Sequence, residues 1–203
     1  MSALEDLLDR LDATRERTLM ALESLPDEAL VAPAAVGRWS VADLLSILTA
    51  WDAEVVTGLM RLKAGQPPER LLAALRNPNA YNAQRYQDAQ GRGLDAIFND
   101  FQGARMHLEE WLSEFSERAL TDPGHYKTLG GAPLGRIIAQ ATHEHEARYL
   151  PFLTAMVERW EAETASDSVE MIPVTGIDIL ELPSANGDGT AALFPGDEDD
   201  DFE

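Results

Sequence analysis

Residues 39–51 read W-S-V-A-D-L-L-S-I-L-T-A-W, and this stretch decides the fold. Ser40 is a helix N-cap, because its hydroxyl can accept a hydrogen bond from an orphan amide of the first turn. Asp43 falls at the third helical position and completes a capping-box-like pair, with a charge that suits the helix dipole. Val41, Leu44, Leu45, Leu48, Trp51, Val55, Leu59 and Leu62 follow at steps of three and four residues. That spacing predicts an amphipathic helix with a broad buried face. The helix is expected to end at Lys63, ahead of Gly65 and the Pro67-Pro68 pair.

Three further long helices flank this one. Residues 3–25 carry a leucine stripe from Leu4 to Leu25, with Asp, Glu and Arg assigned to the outer face and Pro26 as the stop. Ser2 and Glu5 make its capping box. The link 26–38 contains prolines and a glycine and is expected to be loop. Residues 94–118 place Ile97, Phe98, Phe101, Leu108, Trp111, Leu112 and Phe115 on one side of a third helix. A fourth spans 133–163, and Pro151 inside it is expected to kink it by removing a backbone donor. Between the second and third lie two short helical pieces, 69–76 and 80–90, separated by Pro78. No alternating strand pattern occurs before residue 165. The fold class is therefore all-α: a four-helix bundle with a short helical insertion between helices two and three.

The bundle is expected to occupy residues 1–163, and an acidic tail 164–203. The formal net charge is -20, and the tail alone holds eleven Asp or Glu and no Lys or Arg. Such a field repels nucleic acid and anionic membrane, so neither is expected as a partner. Residues 172–182, I-P-V-T-G-I-D-I-L-E-L, have an extended, half-alternating character. The remainder is turn-rich and acidic, with Phe194 and Phe202 as its apolar anchors, and is expected to be irregular. A basic partner is the complement such a tail would seek. The chain has no cysteine, which removes disulfides and thiolate metal sites. With no basic-then-apolar leader and no membrane-length apolar run, a cytoplasmic location is expected.

The W-S-V-A-D-L-L stretch resembles the second-helix signature of the DinB/YfiT-like superfamily, and more narrowly its ClbS/DfsB branch. Tyr81-Asn82-Ala83, Tyr86 and the segment G-L-D-A-I-F-N-D-F resemble that branch's middle region. T-H-E-H-E-A-R-Y-L-P-F, residues 142–152, resembles its fourth-helix signature. The resemblance covers about residues 3–160. It implies a four-helix bundle with a pocket between helices. In many members that pocket holds a divalent metal through three histidines, one on helix two and two on helix four. Imidazoles suit zinc-like ions, and a three-ligand site leaves positions open for water or substrate.

The sequence departs from that pattern at two of the three ligand positions. The helix-two ligand position falls on Ile47, which cannot ligate. His145 matches the first histidine of helix four, and the second falls on Tyr149. No metal and no other cofactor is therefore expected. His143 lies two residues from His145 and points to another face, and in H-E-H-E the adjacent side chains diverge by about 100°. His107 and His125 are scattered. Glu54 lies seven residues after Ile47 and shares its face. The expected constellation has Glu54, His145 and Tyr149 as catalytic candidates, and Trp39, Ile47, Trp51, Asn82 and Tyr86 as ligand-binding candidates.

The ClbS/DfsB resemblance implies a small-molecule-binding or protective hydrolase-type protein, acting on a reactive electrophile without the three-histidine metal site. Glu54 or His145 would activate water, and Tyr149 or Asn82 would orient the substrate. The alternative is a non-catalytic bundle, a scaffold or homodimer that uses its acidic tail to hold a partner. A third reading keeps a metal on substitute ligands Glu54, His145 and Tyr149. No nucleophile elbow, phosphate-binding glycine loop or H-E-x-x-H motif is present.

Overall fold

Helix α1 spans Ala3–Leu22 in the computed structural model, which describes residues 2–170. Its start is set by the expected capping box: Glu5 N–H donates to Ser2 Oγ at 3.1 Å, and Ser2 N–H donates to Glu5 Oε2 at 2.7 Å. After Pro26 comes a short helix, α2, Asp27–Val31, where loop was expected. Five residues are too few to display a period, but Ala29 and Leu30 are buried and acids fill the first turn. α3 runs over Val41–Lys63, as predicted. Asp43 N–H donates to Ser40 Oγ at 3.0 Å, and Ser40 N–H donates to Asp43 Oδ2 at 2.9 Å. Gly65, at φ +72°, turns the chain out of the helix in a conformation that L side chains rarely adopt.

The insertion consists of α4, Glu69–Arg76, and α5, Pro78–Asp88, both packed on α3. α6 covers Leu94–Leu112 and stops short of the expected residue 118. The reason is local competition for the backbone. Ser113 Oγ–H donates to the Glu110 carbonyl at 2.7 Å, and Ser116 Oγ accepts from Ala119 N–H at 3.2 Å, which caps a separate α7, Glu117–Thr121.

The fourth arm is one helix in the sequence pattern and three in the structure: α8 Leu134–Ala141, α9 His143–Ala147 and α10 Leu150–Glu170. The first break is at Thr142 (φ -117°, ψ -106°), whose hydroxyl donates to the Ile138 carbonyl at 2.7 Å. The second is at Arg148 and Tyr149, whose amides turn back to the carbonyls of His145 and Glu146. The expected kink at Pro151 is corrected by this geometry. The chain breaks before it, and Pro151 falls in the first turn of α10, where its missing N–H has no partner to lose. α10 continues past residue 163 to Glu170. The extended segment expected at 172–182 and the anchors Phe194 and Phe202 lie outside the described residues.

Among the described residues there is no strand, only an isolated bridge between Val36 and Trp39, and the architecture is the expected all-α bundle. No helix among them is long and apolar enough to cross a membrane. Among the described residues the core has two apolar clusters. One gathers Leu7, Leu11, Ile47, Trp51, Leu108 and Ile138, and the other Leu22, Val41, Leu45, Phe101, Leu153 and Met156. Where the arms pass from one cluster to the other, each contributes one buried charge: Arg15 (α1), Asp52 (α3), Arg105 (α6) and Glu146 (α9).

Arg15 Nη2 lies 2.9 Å from Asp52 Oδ2, and its Nε 3.2 Å from Glu146 Oε1. Arg105 Nε lies 3.1 Å from Asp52 Oδ2, and its Nη2 2.9 Å from Glu146 Oε2. Two cations and two anions cancel inside the bundle, and each carboxylate accepts from both arginines. Burial alone would raise the Glu146 carboxyl, but Arg15 and Arg105 outweigh it and hold it below its ordinary value. The expectation that the arginines of α1 lie on its outer face is thus wrong for Arg15.

Candidate functional site

Three arms converge on one polar spot in an aromatic nest. α3 supplies Ile47 and Trp51, α5 supplies Asn82, and α9 with the turn after it supplies His145 and Tyr149. The Trp51 indole N–H donates to Asn82 Oδ1 at 2.7 Å. Asn82 Nδ2 donates to the Tyr149 hydroxyl at 3.3 Å. The His145 ring lies 4.9 Å from the Trp51 ring and 5.4 Å, edge-on, from the Tyr149 ring, centroid to centroid. Trp39 closes one side, 6.1 Å from Tyr149. Tyr81 closes the other, 4.6 Å from Trp51, with its hydroxyl donating to the Ala50 carbonyl at 2.9 Å. Tyr149 is partly exposed, whereas Trp51, Asn82 and His145 are buried.

His145 is only 4% exposed, and its Nε2 is buried without a hydrogen-bond partner. Burial, with a smaller contribution from Arg148, pushes its pKa down to about 4, against the opposing pull of Glu146. The ring is therefore neutral at pH 7, and its Nε2 has no hydrogen-bond partner within the protein. Burial also raises the Tyr149 hydroxyl, against Arg148, the Asn82 hydrogen bond and Arg38, so at pH 7 it keeps a proton it can donate.

The structure brings Trp39, Ile47, Trp51, Asn82, His145 and Tyr149 to one place and leaves out two of the expected constellation. Glu54 is 5% exposed, but it lies against α4, with its carboxylate 3.1 Å from Arg70, an arginine that is itself 69% exposed. Glu54 and Arg70 line a separate cavity of about 260 Å³ with Tyr81 and Arg85. Tyr86 lines another, of about 310 Å³, with Arg38, Ser40 and Gln90. The letters H-E-H-E diverge. His143 lines a cavity facing α1, and Glu144 pairs with Arg136 on the surface. His145 enters the nest, and Glu146 enters the buried quartet.

The residues at the three expected ligand positions do not fit a metal held by three imidazoles. Ile47 is wholly buried and brings no donor atom. The Tyr149 hydroxyl is protonated and engaged with Asn82. Only His145 offers an imidazole nitrogen. Among the described residues no group of three or more His, Asp or Glu is placed to hold a metal ion.

The quartet of Arg15, Asp52, Arg105 and Glu146 lies outside the expected constellation, yet the sequence carries a signal of it. Arg15 lies four residues after Leu11, Asp52 seven after Leu45, and Arg105 four after Phe101. Each is a charge in the apolar row of its helix.

A family model described as the DinB superfamily matches residues 10–150. The fold is similar to that of an uncharacterised protein from Escherichia coli UTI89 known from a crystal structure. The TM-score is 0.65 and the identity 18%, and the match covers 79% of this chain and 96% of that one. No curated protein matches the chain.

Proposed function

The chain belongs to the DinB superfamily, and from that premise we propose that it binds a small molecule at the His145 nest and, like the ClbS/DfsB branch it resembles, adds water to a strained electrophile. The observation that carries this is the buried, unpartnered Nε2 of a neutral His145 beside the Tyr149 hydroxyl. A polar atom that is buried at a cost and has no partner within the protein gains most from a guest that pairs it.

The step balances with water alone. His145 Nε2 takes a proton from water as its oxygen attacks a carbon of the strained ring. The ring C–C bond breaks, and its electron pair passes into the conjugated acceptor, which takes a proton from the Tyr149 hydroxyl. The imidazolium then returns a proton to the tyrosinate. A base with a pKa of about 4 is weak, so the chemistry must draw on ring strain in the substrate rather than on basicity. Asn82 acts as a positioning residue: it ties Tyr149 to Trp51 and fixes the donor. Glu54 is not part of this site; Arg70 holds it elsewhere.

The test uses an activated spirocyclopropane, with the water adduct followed by mass spectrometry. The protein is expected to accelerate water addition, and His145→Ala to abolish the acceleration while circular dichroism stays unchanged. A rate no faster than buffer, or one unaltered in His145→Ala, defeats the proposal.

A further inference from the structure

The groove between α1 and α6, closed at one end by α2, lies apart from the nest and has a chemistry of its own. Its volume is about 780 Å³, the size of a drug-like ligand site. The floor is apolar: Leu19, Leu22, Leu25, Leu30 and Phe98, with Met20 standing 65% exposed at the edge. The rim is acidic, with Asp12 and Glu16 from α1 and Glu23 at its C-terminal cap.

Arg15 is the one cationic residue in the lining, and its charge is spent inward. Its guanidinium pairs with Asp52 and Glu146 and stacks 3.4 Å from the centre of the Phe101 ring. Among the described residues neither Glu16 nor Glu23 has an ion-pair partner. Glu23 also sits at the C-terminal cap of α1, a helix whose last turn carries no basic residue. The partial negative charge of that helix end therefore adds to the carboxylate instead of being offset. An apolar floor, unpaired carboxylates and a bare helix C-terminus all favour the same kind of guest.

We propose that this groove is a binding site for a lipophilic organic cation, with its apolar body on Leu19, Leu22 and Phe98 and its charge against Glu16 and Glu23. The Phe98 ring adds a face that attracts cations, and Met20 supplies an adaptable apolar edge. This site is independent of the His145 nest.

The probe is tetraphenylphosphonium, with tetraphenylborate as a control of the same shape and opposite charge, titrated calorimetrically into the full chain. The phosphonium is expected to bind one-to-one and the borate not to bind. Glu16→Gln/Glu23→Gln lies on the surface, and should weaken phosphonium binding roughly tenfold without lowering the melting temperature. His145→Ala should leave it unchanged. Equal binding of both ions would show a merely greasy face, and binding that survives the double variant would place the cation elsewhere. Failure of the phosphonium alongside capture of a Lys-rich amphipathic peptide would make the groove a protein-docking surface. Each of these three results overturns the proposal.

Discussion

Arg15 and Arg105 are stitched to each other's helices. The Arg15 Nη1–H donates to the carbonyl of Phe101, four residues before Arg105, and the Arg105 Nη1–H donates at 2.8 Å to the carbonyl of Leu11, four residues before Arg15. This reciprocity spans the α1–α6 seam, and Asp52 and Glu146 lock it from the other two arms. The guanidinium suits the role because its planar fork serves a carboxylate and a carbonyl at once.

Removing one member of the quartet should therefore cost far more than a surface ion pair. Asp52→Asn or Arg105→Met leaves an uncompensated buried charge, and about 3–5 kcal/mol of stability should be lost. Replacing all four with apolar residues of similar volume should cost less than either single change. Urea midpoints measure both. A single variant that loses less than about 1 kcal/mol would refute the account.

The pH dependence of stability has a definite sign. His145 titrates near 4 in the folded protein against an ordinary value of 6.5. Between those values the unfolded chain binds the extra proton. This contribution is absent where the ring is neutral in both states, above about 6.5, and grows as a loss of stability as the pH falls toward 4. Its full size is on the order of 3 kcal/mol. Glu146, held low by Arg15 and Arg105 against its burial, adds a second loss further down, as the pH falls through its folded pKa. Urea titrations from pH 7 to 4 on the protein and on His145→Phe should differ most in this window, with the flatter profile in the variant.

The hydrogen-bond chain from Trp51 through Asn82 to Tyr149 predicts a ranking. Asn82→Ala strips the partner from a buried indole N–H, and should cost about 1–3 kcal/mol and shift the Trp51 emission. Tyr149→Phe removes only the weaker 3.3 Å contact, so it should cost about 1 kcal/mol or less. Thermal melts followed by fluorescence check this order, and the reverse order would contradict it.

Gly58 is the close-approach point between α3 and α4. A Cβ built there would lie 2.9 Å from Leu71 Cδ2 and 3.4 Å from Pro68 Cβ, and Leu71 is itself buried. Gly58→Ala should therefore destabilise by about 1–2 kcal/mol despite the better helix propensity of alanine. By pushing α4 outward, it should also loosen Arg70 from Glu54. Proteolysis at residues 64–68 should accelerate in parallel with the fall in melting temperature.

The parts of the fold legible in the sequence are those with strong local chemistry at their ends. The bounds of α3 are legible because Ser40 and Asp43 cap one end and Gly65 turns the other. The breaks at Ser113 and Thr142 leave the apolar period intact, and the Thr142 hydroxyl bond to the carbonyl four residues back is one that Ser46, Thr49 and Thr57 also make inside unbroken α3, so neither break is legible from residue type. In the site, Trp51, Asn82, His145 and Tyr149 lie together in the structure. Glu54 does not join them, because seven residues along a helix restore the face but move the side chain about 10 Å along the axis, to a level covered by α4. Residue type alone assigns the quartet's charges to the outside, although the phase of Arg15, Asp52 and Arg105 along their helices places them within.

The cross-stitched charges also bear on how such a sequence changes through descent. Any one substitution at Arg15, Asp52, Arg105 or Glu146 strands an ion in the interior, so these four letters must drift together or not at all. A lineage that has lost one is expected to have lost the others, traded for oil.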